Sequence, residues 1–198
     1  MGRGKISTEA SFKIEWSLEL VSLIVLSGMA PLSRNLALFT LAFWLGVAVL
    51  FSAVVAPTLF DPDVASGLSR DMAGAINTAL LRRVYLITYI CGGLAAFLLA
   101  VCWVLERGGS PSPKRAFGLC LLLLLGNVAN DVGIHHRLSR IRVEMTNPTA
   151  HSLADLKTSF DRWHKTSVWV FTASLAFGSL AILLLLPPGN SGGARRRR

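Results

Sequence analysis

The chain has few charged residues and especially few acidic ones. Only 16% of its 198 residues are Asp, Glu, Lys or Arg, and 53% are hydrophobic, whereas soluble domains carry about 25% charged residues. This deficit of charge argues against a soluble globular domain, and the hydrophobic content excludes a disordered chain. Eleven acidic residues stand against twenty basic ones, a net charge of +9. Because no nucleic-acid-binding motif accompanies this excess, we predict no nucleic acid partner and assign the basic residues to membrane flanks.

Motifs for catalysis, nucleotide binding and metal binding are also lacking. The three cysteines, Cys91, Cys102 and Cys120, form no CxxC pair and stand inside apolar runs, which is typical of small buried side chains and predicts no disulfide. There is no HExxH, no GxxxxGK[ST], no GxSxG and no kinase signature. We therefore predict no catalytic residue and no cofactor, and favour a protein without enzymatic activity.

Four apolar runs are long enough to cross a membrane, at about 36–60, 85–105, 116–135 and 168–187. At about 1.5 Å per residue, some 20 helical residues span the hydrocarbon core of about 30 Å. In lipid a helix satisfies its own backbone amides. The sequence predicts an all-α integral membrane protein whose residues 36–188 form an antiparallel four-helix transmembrane bundle.

The flanking segments differ from this membrane domain. Residues 1–35 are predicted to be a basic segment with an interfacial helix at 16–30, a stretch that contains Glu19 and is short for a span. A fifth span is the alternative there. Residues 189–198 end in four arginines and are predicted to form a disordered basic tail that binds anionic headgroups. The links 61–83 and 136–165 have amphipathic patterns that we interpret as short helices at the lipid interface.

Orientation follows from the distribution of Lys and Arg. With four spans, eleven of these residues lie on the side of the two termini and nine on the other, and the compact basic loop 106–115 and the terminal arginines lie close to spans. The positive-inside rule then predicts that both termini are cytoplasmic. We expect a plasma (inner) membrane rather than an organelle membrane.

Polar residues cluster at the end of the third span. Asn127, Asp131 and His135 follow one another at four-residue spacing, which places them on one helical face. Ionisable groups inside a membrane are functional candidates. The simplest interpretation is hydrogen bonding to neighbouring helices; a ligand, proton or ion site is the alternative. With four spans, His136 and His164 share this membrane side, so a membrane-embedded metal- or haem-binding redox protein using Asp131, His135, His136 and His164 is the alternative function.

Small residues recur at four-residue spacing in three of the spans. Such strips allow neighbouring helices to approach closely. They predict helix packing inside one bundle and suit a homo-oligomer equally. The residues are Gly46, Thr88, Gly92, Ala96, Ala100, Ser174 and Gly178.

Three short motifs resemble a known family. They are Ala56-Pro57-Thr58-Leu59-Phe60, Ala73-Gly74, and Phe160-Asp-Arg-Trp-His164-Lys-Thr-Ser167. The chain is similar over about residues 35–187 to the transmembrane-protein-205-like family (domain of unknown function 4149), with Trp163 where that family has leucine. The resemblance implies a four-helix membrane protein of unknown activity and transfers no catalytic residue. It draws attention to Pro57, Gly74, Phe160, His164 and Ser167.

These observations converge on a function class. We expect a polytopic membrane protein that acts as a structural, lipid-binding or transport-associated component. We also expect His164 and Ser167, three residues apart at the start of the fourth span, to face the edge of the third span formed by Asp131 and His135.

Overall fold

The computed structural model describes residues 5–64, 66–106, 112–146 and 152–187, and side chains within these ranges from residue 28 onward, except those of Arg70 and Asp71. The predicted basic tail at 189–198 and the side chains of residues 16–27 lie outside the described part.

All regular structure in the described ranges is helical. The helices are α1 (Lys5–Leu50), α2 (Ala56–Phe60), α3 (Arg70–Leu105), α4 (Ser112–Val128), α5 (His136–Thr146) and α6 (Leu153–Leu185). A π-helical segment, Phe51–Val55, joins α1 to α2, and a second, Ala129–His135, joins α4 to α5.

Four continuous helical stretches are long and apolar enough to cross a membrane: Gly28–Phe60, Met72–Leu105, Ser112–Thr146 and Leu153–Leu185. The prediction of an all-helical protein with four such helices is therefore confirmed. Each stretch has 33 to 35 residues, or about 50 Å at 1.5 Å per residue, which exceeds the hydrocarbon core of about 30 Å. The helices therefore extend beyond the hydrocarbon core.

The interpretation of the links as separate short helices is wrong. Residues 70–84 are the first turns of α3, residues 136–146 continue α4 through the second π-helical segment, and residues 153–167 are the first turns of α6. Extending an existing helix is less costly than nucleating a new one, because the entropic cost falls on the first turn. Residues 16–30 likewise belong to α1, which continues past Pro31; their interfacial position remains a prediction.

The first π-helical segment has a local cause. Proline lacks an amide hydrogen, and its ring clashes with the carbonyl four residues before it. Pro57 is the second residue after the segment, and the amide of Ala56 donates to the Phe51 carbonyl, five residues back. The wider turn lets the helix continue to Phe60 instead of ending at the proline.

The buried core contains mainly small and aliphatic side chains. One layer brings Leu41 of α1 together with Leu99 of α3, Cys120 of α4 and Leu185 of α6. A second layer contains Trp44, Ala48, Cys91 and Leu123. The small side chains among them, Ala48, Cys91 and Cys120, let the helices approach closely.

The outer surface of the bundle is apolar. Phe39 is 71% exposed, Phe97 is 64% exposed and Trp169 is 74% exposed. Large apolar side chains on the outside of long helices are typical of surfaces that contact lipid chains. The four helices and this surface indicate an integral, multi-pass membrane protein.

Candidate functional site

Thr88, one of the predicted packing residues, joins two helices by a buried hydrogen bond. The indole Nε1 of Trp44 in α1 donates to the Thr88 hydroxyl of α3 over 2.9 Å, and both side chains are at most 1% exposed. The Thr88 hydroxyl in turn donates to the Val84 carbonyl at 2.8 Å. All the polar hydrogens of the pair are satisfied inside an apolar layer.

Two of the small residues lie where a neighbouring side chain presses closely. A Cβ atom on Gly178 of α6 would stand 2.3 Å from Cζ3 of Trp44, and one on Gly92 would stand 2.6 Å from Cδ2 of Leu124. A Cβ at Gly178 would therefore force the Trp44 ring to shift, whereas one at Gly92 would displace only the end of the flexible Leu124 side chain.

The other packing residues divide into buried and exposed positions. Ser174 and Ala96 are buried, and Ala100 is half-buried. Gly46 is exposed on α1, and a Cβ there would meet none of the described atoms within 4 Å. Among the described residues, no helix therefore packs closely against Gly46.

The predicted polar face contains a hydrogen bond between α3 and the third span. The Tyr89 hydroxyl donates to Oδ2 of Asp131 over 2.9 Å, and it lies 3.5 Å from the Asn127 carbonyl. Asn127 is 1% exposed, and its Nδ2 donates to the Leu123 carbonyl in its own helix at 2.8 Å. Tyr89, which the sequence did not single out, is thus the partner of Asp131.

Asn130 is a buried polar residue that the four-residue spacing of the predicted polar face does not include. It is 1% exposed, and its Nδ2 donates to the Ser167 carbonyl of α6 over 3.3 Å. The Oδ1 atoms of Asn127 and Asn130 are both buried without a hydrogen-bond partner. Asn127 lies near the end of α4 and Asn130 lies in the second π-helical segment, whose wider turn changes which side chains share a face.

The histidines of the predicted polar cluster differ in exposure. His135 is half-buried, while His136 and His164 are exposed. The His164 ring stacks on the Phe160 ring, with centroids 6.1 Å apart and planes 6° apart. The hydrogen bond that joins α6 to this segment is accepted by the Ser167 backbone carbonyl from Asn130, and the expectation that His164 and the Ser167 side chain face Asp131 and His135 stays a prediction. Within the described ranges, no group of three His, Cys, Asp or Glu residues is placed to hold a metal.

Arg142 of α5 joins three helices, a role that the sequence did not indicate. Its Nη1 donates to the Thr78 hydroxyl of α3 over 3.4 Å, and its guanidinium lies 5.8 Å from the centre of the Phe160 ring of α6. A Cβ on Gly74 would stand 3.6 Å from its Nη2. Two of the family-motif positions, Gly74 and Phe160, thus lie beside the same guanidinium.

Arg34 caps α6 at the other end of the bundle. Its Nε and Nη2 atoms donate to the Leu185 carbonyl at 2.9 and 2.6 Å, and the Ser112 hydroxyl donates to the neighbouring Leu184 carbonyl. Carbonyls at a helix C-terminus have no partner within the helix and interact favourably with a cation. These bonds hold α1 and α4 against the end of α6.

A groove lies between α5 and the first turns of α6, and we call it the α5–α6 groove. Its volume is about 400 Å³. The Arg137 guanidinium lies 4.7 Å from the centre of the Trp163 ring across it. The groove is lined by Arg137, Arg140, Ile141, Glu144, Asp155, Leu156, Ser159 and Trp163. Charges of both signs and an apolar floor therefore meet in one depression.

Comparison with known proteins identifies the family. Residues 39–147, more than half of the chain, match the family described as Domain of unknown function (DUF4149). The chain belongs to this family. The matched region runs from α1 to α5 and contains Pro57, Gly74 and Asp131, whereas α6 lies outside it. No curated protein and no solved structure matches the chain, so the DUF4149 assignment carries no activity with it.

Proposed function

We propose that this DUF4149 protein is a non-enzymatic, lipid-binding component of its membrane. The observation that carries the proposal is the position of its charged helical extensions. Residues 136–146 and 153–167 continue two spanning helices and contain basic side chains together with Trp163. Since the helices are about 20 Å longer than the hydrocarbon core, these turns reach the headgroup layer. Arginine and tryptophan are favoured at that depth.

The finer architecture is part of the proposal. We infer an antiparallel bundle, because Arg34 lies beside Leu185 while Trp44, further along α1, lies beside Gly178, earlier in α6. We propose further that the chain is similar to the transmembrane-protein-205-like family, that residues 16–30 form an interfacial helix, that both termini are cytoplasmic and that the membrane is the plasma (inner) membrane. We also retain binding of anionic headgroups by the basic tail, and homo-oligomerisation through small-residue strips, for which the exposed Gly46 is available.

Retention of phospholipid by the purified protein tests the proposal. The full chain is extracted in mild detergent, stripped of lipid by extended washing and examined by native mass spectrometry before and after phospholipid is added back. We expect bound phospholipid before stripping, and a rise in melting temperature when it is added back, because a ligand that binds the folded state stabilises it. The proposal is wrong if no phospholipid class binds or changes the melting temperature.

A further inference from the structure

We propose that the α5–α6 groove binds the headgroup of a zwitterionic phospholipid, with its phosphate at Arg137 and Arg140 and its ammonium at Glu144 and Asp155. The inference rests on the proposed function and names the lipid class that this one site would take.

Because of the directions of α5 and α6, the basic and acidic residues of the groove lie at different distances from the apolar part of the spans. Helix α5 runs away from the apolar part of its span, from Arg137 to Glu144, and α6 runs towards its apolar part, from Asp155 to Trp163. The ring of Trp163 faces Arg137, so these two residues mark the membrane-proximal end of the groove. Glu144 and Asp155 then mark the outer end.

A zwitterionic headgroup has the same order of charge. Its phosphate is attached to the glycerol backbone and lies nearer to the hydrocarbon, and its ammonium is further out, beyond a two-carbon spacer. Arginines at the inner end suit the phosphate, because guanidinium groups bind phosphate oxygens through paired hydrogen bonds. Carboxylates at the outer end suit the ammonium. A glycerol headgroup would leave these carboxylates without a cation.

The charged side chains of the groove do not form ion pairs with one another. Within the described ranges, no ion pair joins the two arginines to Glu144 or Asp155. The Arg137 guanidinium lies over the Trp163 ring, and Oδ2 of Asp155 accepts from the Ser152 hydroxyl over 2.6 Å, which leaves the Asp155 Oδ1 available. Two cations and two carboxylates without mutual pairing are suited to a ligand that carries both signs.

The size and floor of the groove also fit a headgroup. Its volume of about 400 Å³ lies within the range of small-molecule sites, about 300–1,000 Å³. Ile141, Leu156 and Trp163 provide the apolar part of its lining. They can contact the glycerol and the first methylene groups of the acyl chains.

Binding of matched lipids tests the assignment. Delipidated full-length protein is titrated with phosphatidylethanolamine, with phosphatidylglycerol of the same acyl chains, and with soluble glycerophosphoethanolamine, and bound ligand is counted by native mass spectrometry. We expect phosphatidylethanolamine to bind about tenfold more tightly than phosphatidylglycerol, equivalent to about 1.4 kcal/mol. Equal or reversed affinities overturn the inference. Binding of the soluble headgroup as tightly as the lipid would assign the groove to a free phosphate ester instead.

Charge-neutralising variants locate the site. Glu144→Gln should abolish the preference for phosphatidylethanolamine without lowering the affinity for phosphatidylglycerol. Arg140→Gln should lower the affinity for both lipids. The matched controls are Asp63→Asn and Arg83→Gln, exposed charges that lie outside residues 136–146 and 153–167 and outside the groove lining; they should leave both affinities unchanged. If lipid binds but the groove variants behave like their controls, this inference fails and the proposed function stands; if no lipid binds, both fail.

Discussion

The indole nitrogen of Trp44 and the hydroxyl of Thr88 lie 2.9 Å apart in the buried interior between α1 and α3. The bond fixes the rotation of the indole ring, whose far edge rests against Gly178 of α6. One hydrogen bond and one glycine therefore determine how closely three helices approach.

Thr88→Val should lower the free energy of unfolding by about 1 kcal/mol. Valine keeps the shape of threonine but leaves the Trp44 indole hydrogen without an acceptor, and interhelical hydrogen bonds in membranes contribute about this much. The melting temperature in detergent, followed by tryptophan fluorescence, measures the change. Thr172→Val is the control, because the exposed Thr172 hydroxyl donates only to the Val168 carbonyl of its own helix. Equal melting temperatures for the two variants would contradict the prediction.

Gly178→Ala should destabilise the bundle by about 1–3 kcal/mol, the usual cost of overpacking. The added methyl group would meet the rigid Trp44 ring, which cannot move without losing its bond to Thr88. Gly92→Ala should cost less, since Cδ2 of Leu124 is the end of a flexible side chain. Gly46→Ala, with open space around it, should be neutral or stabilising. The order of the three melting temperatures checks the packing, and a Gly46 variant as unstable as the Gly178 variant would refute it.

Arg34→Gln should lower stability by about 1–2 kcal/mol. The change removes a charged donor of two hydrogen bonds from the Leu185 carbonyl, at the C-terminus of α6 where a cation is favoured. The control is Arg83→Gln, which removes the same charge from an exposed position of α3. Hydrogen exchange at the last turn of α6 should increase only in the Arg34 variant. Unchanged exchange there would show that the contact contributes nothing.

Tyr89→Phe and Asp131→Asn should be coupled by about 1 kcal/mol. The two groups share a hydrogen bond of 2.9 Å, so removing one partner should make removal of the other less costly. A double-mutant cycle on unfolding in detergent measures the coupling. The exposed Asp63 provides the control cycle, Tyr89→Phe with Asp63→Asn, which should be additive. Additive effects in the first cycle would contradict the interaction.

Long-range partners were harder to predict than the spans. The spacing of small residues selected Gly178 and Gly46 alike, yet Trp44 presses on one and nothing described lies near the other. Sequence could not separate them, because in a membrane protein both the lipid-facing and the helix-facing sides are apolar. Tyr89 and Asn130 were missed for a related reason: their partners, Asp131 and the Ser167 carbonyl, lie on other helices.

The amino-acid sequence alone determined that the chain has four helices long and apolar enough to cross a membrane, because length and hydrophobicity are properties of each segment by itself. Its short motifs also indicated the DUF4149 family. Only the tertiary structure decided which glycines lie in contact, that the amphipathic links extend the spanning helices, and that Arg142 meets Gly74 and Phe160. It also formed the groove between α5 and α6. These features depend on the rotation and depth of each helix, which are set by side chains distant in the chain.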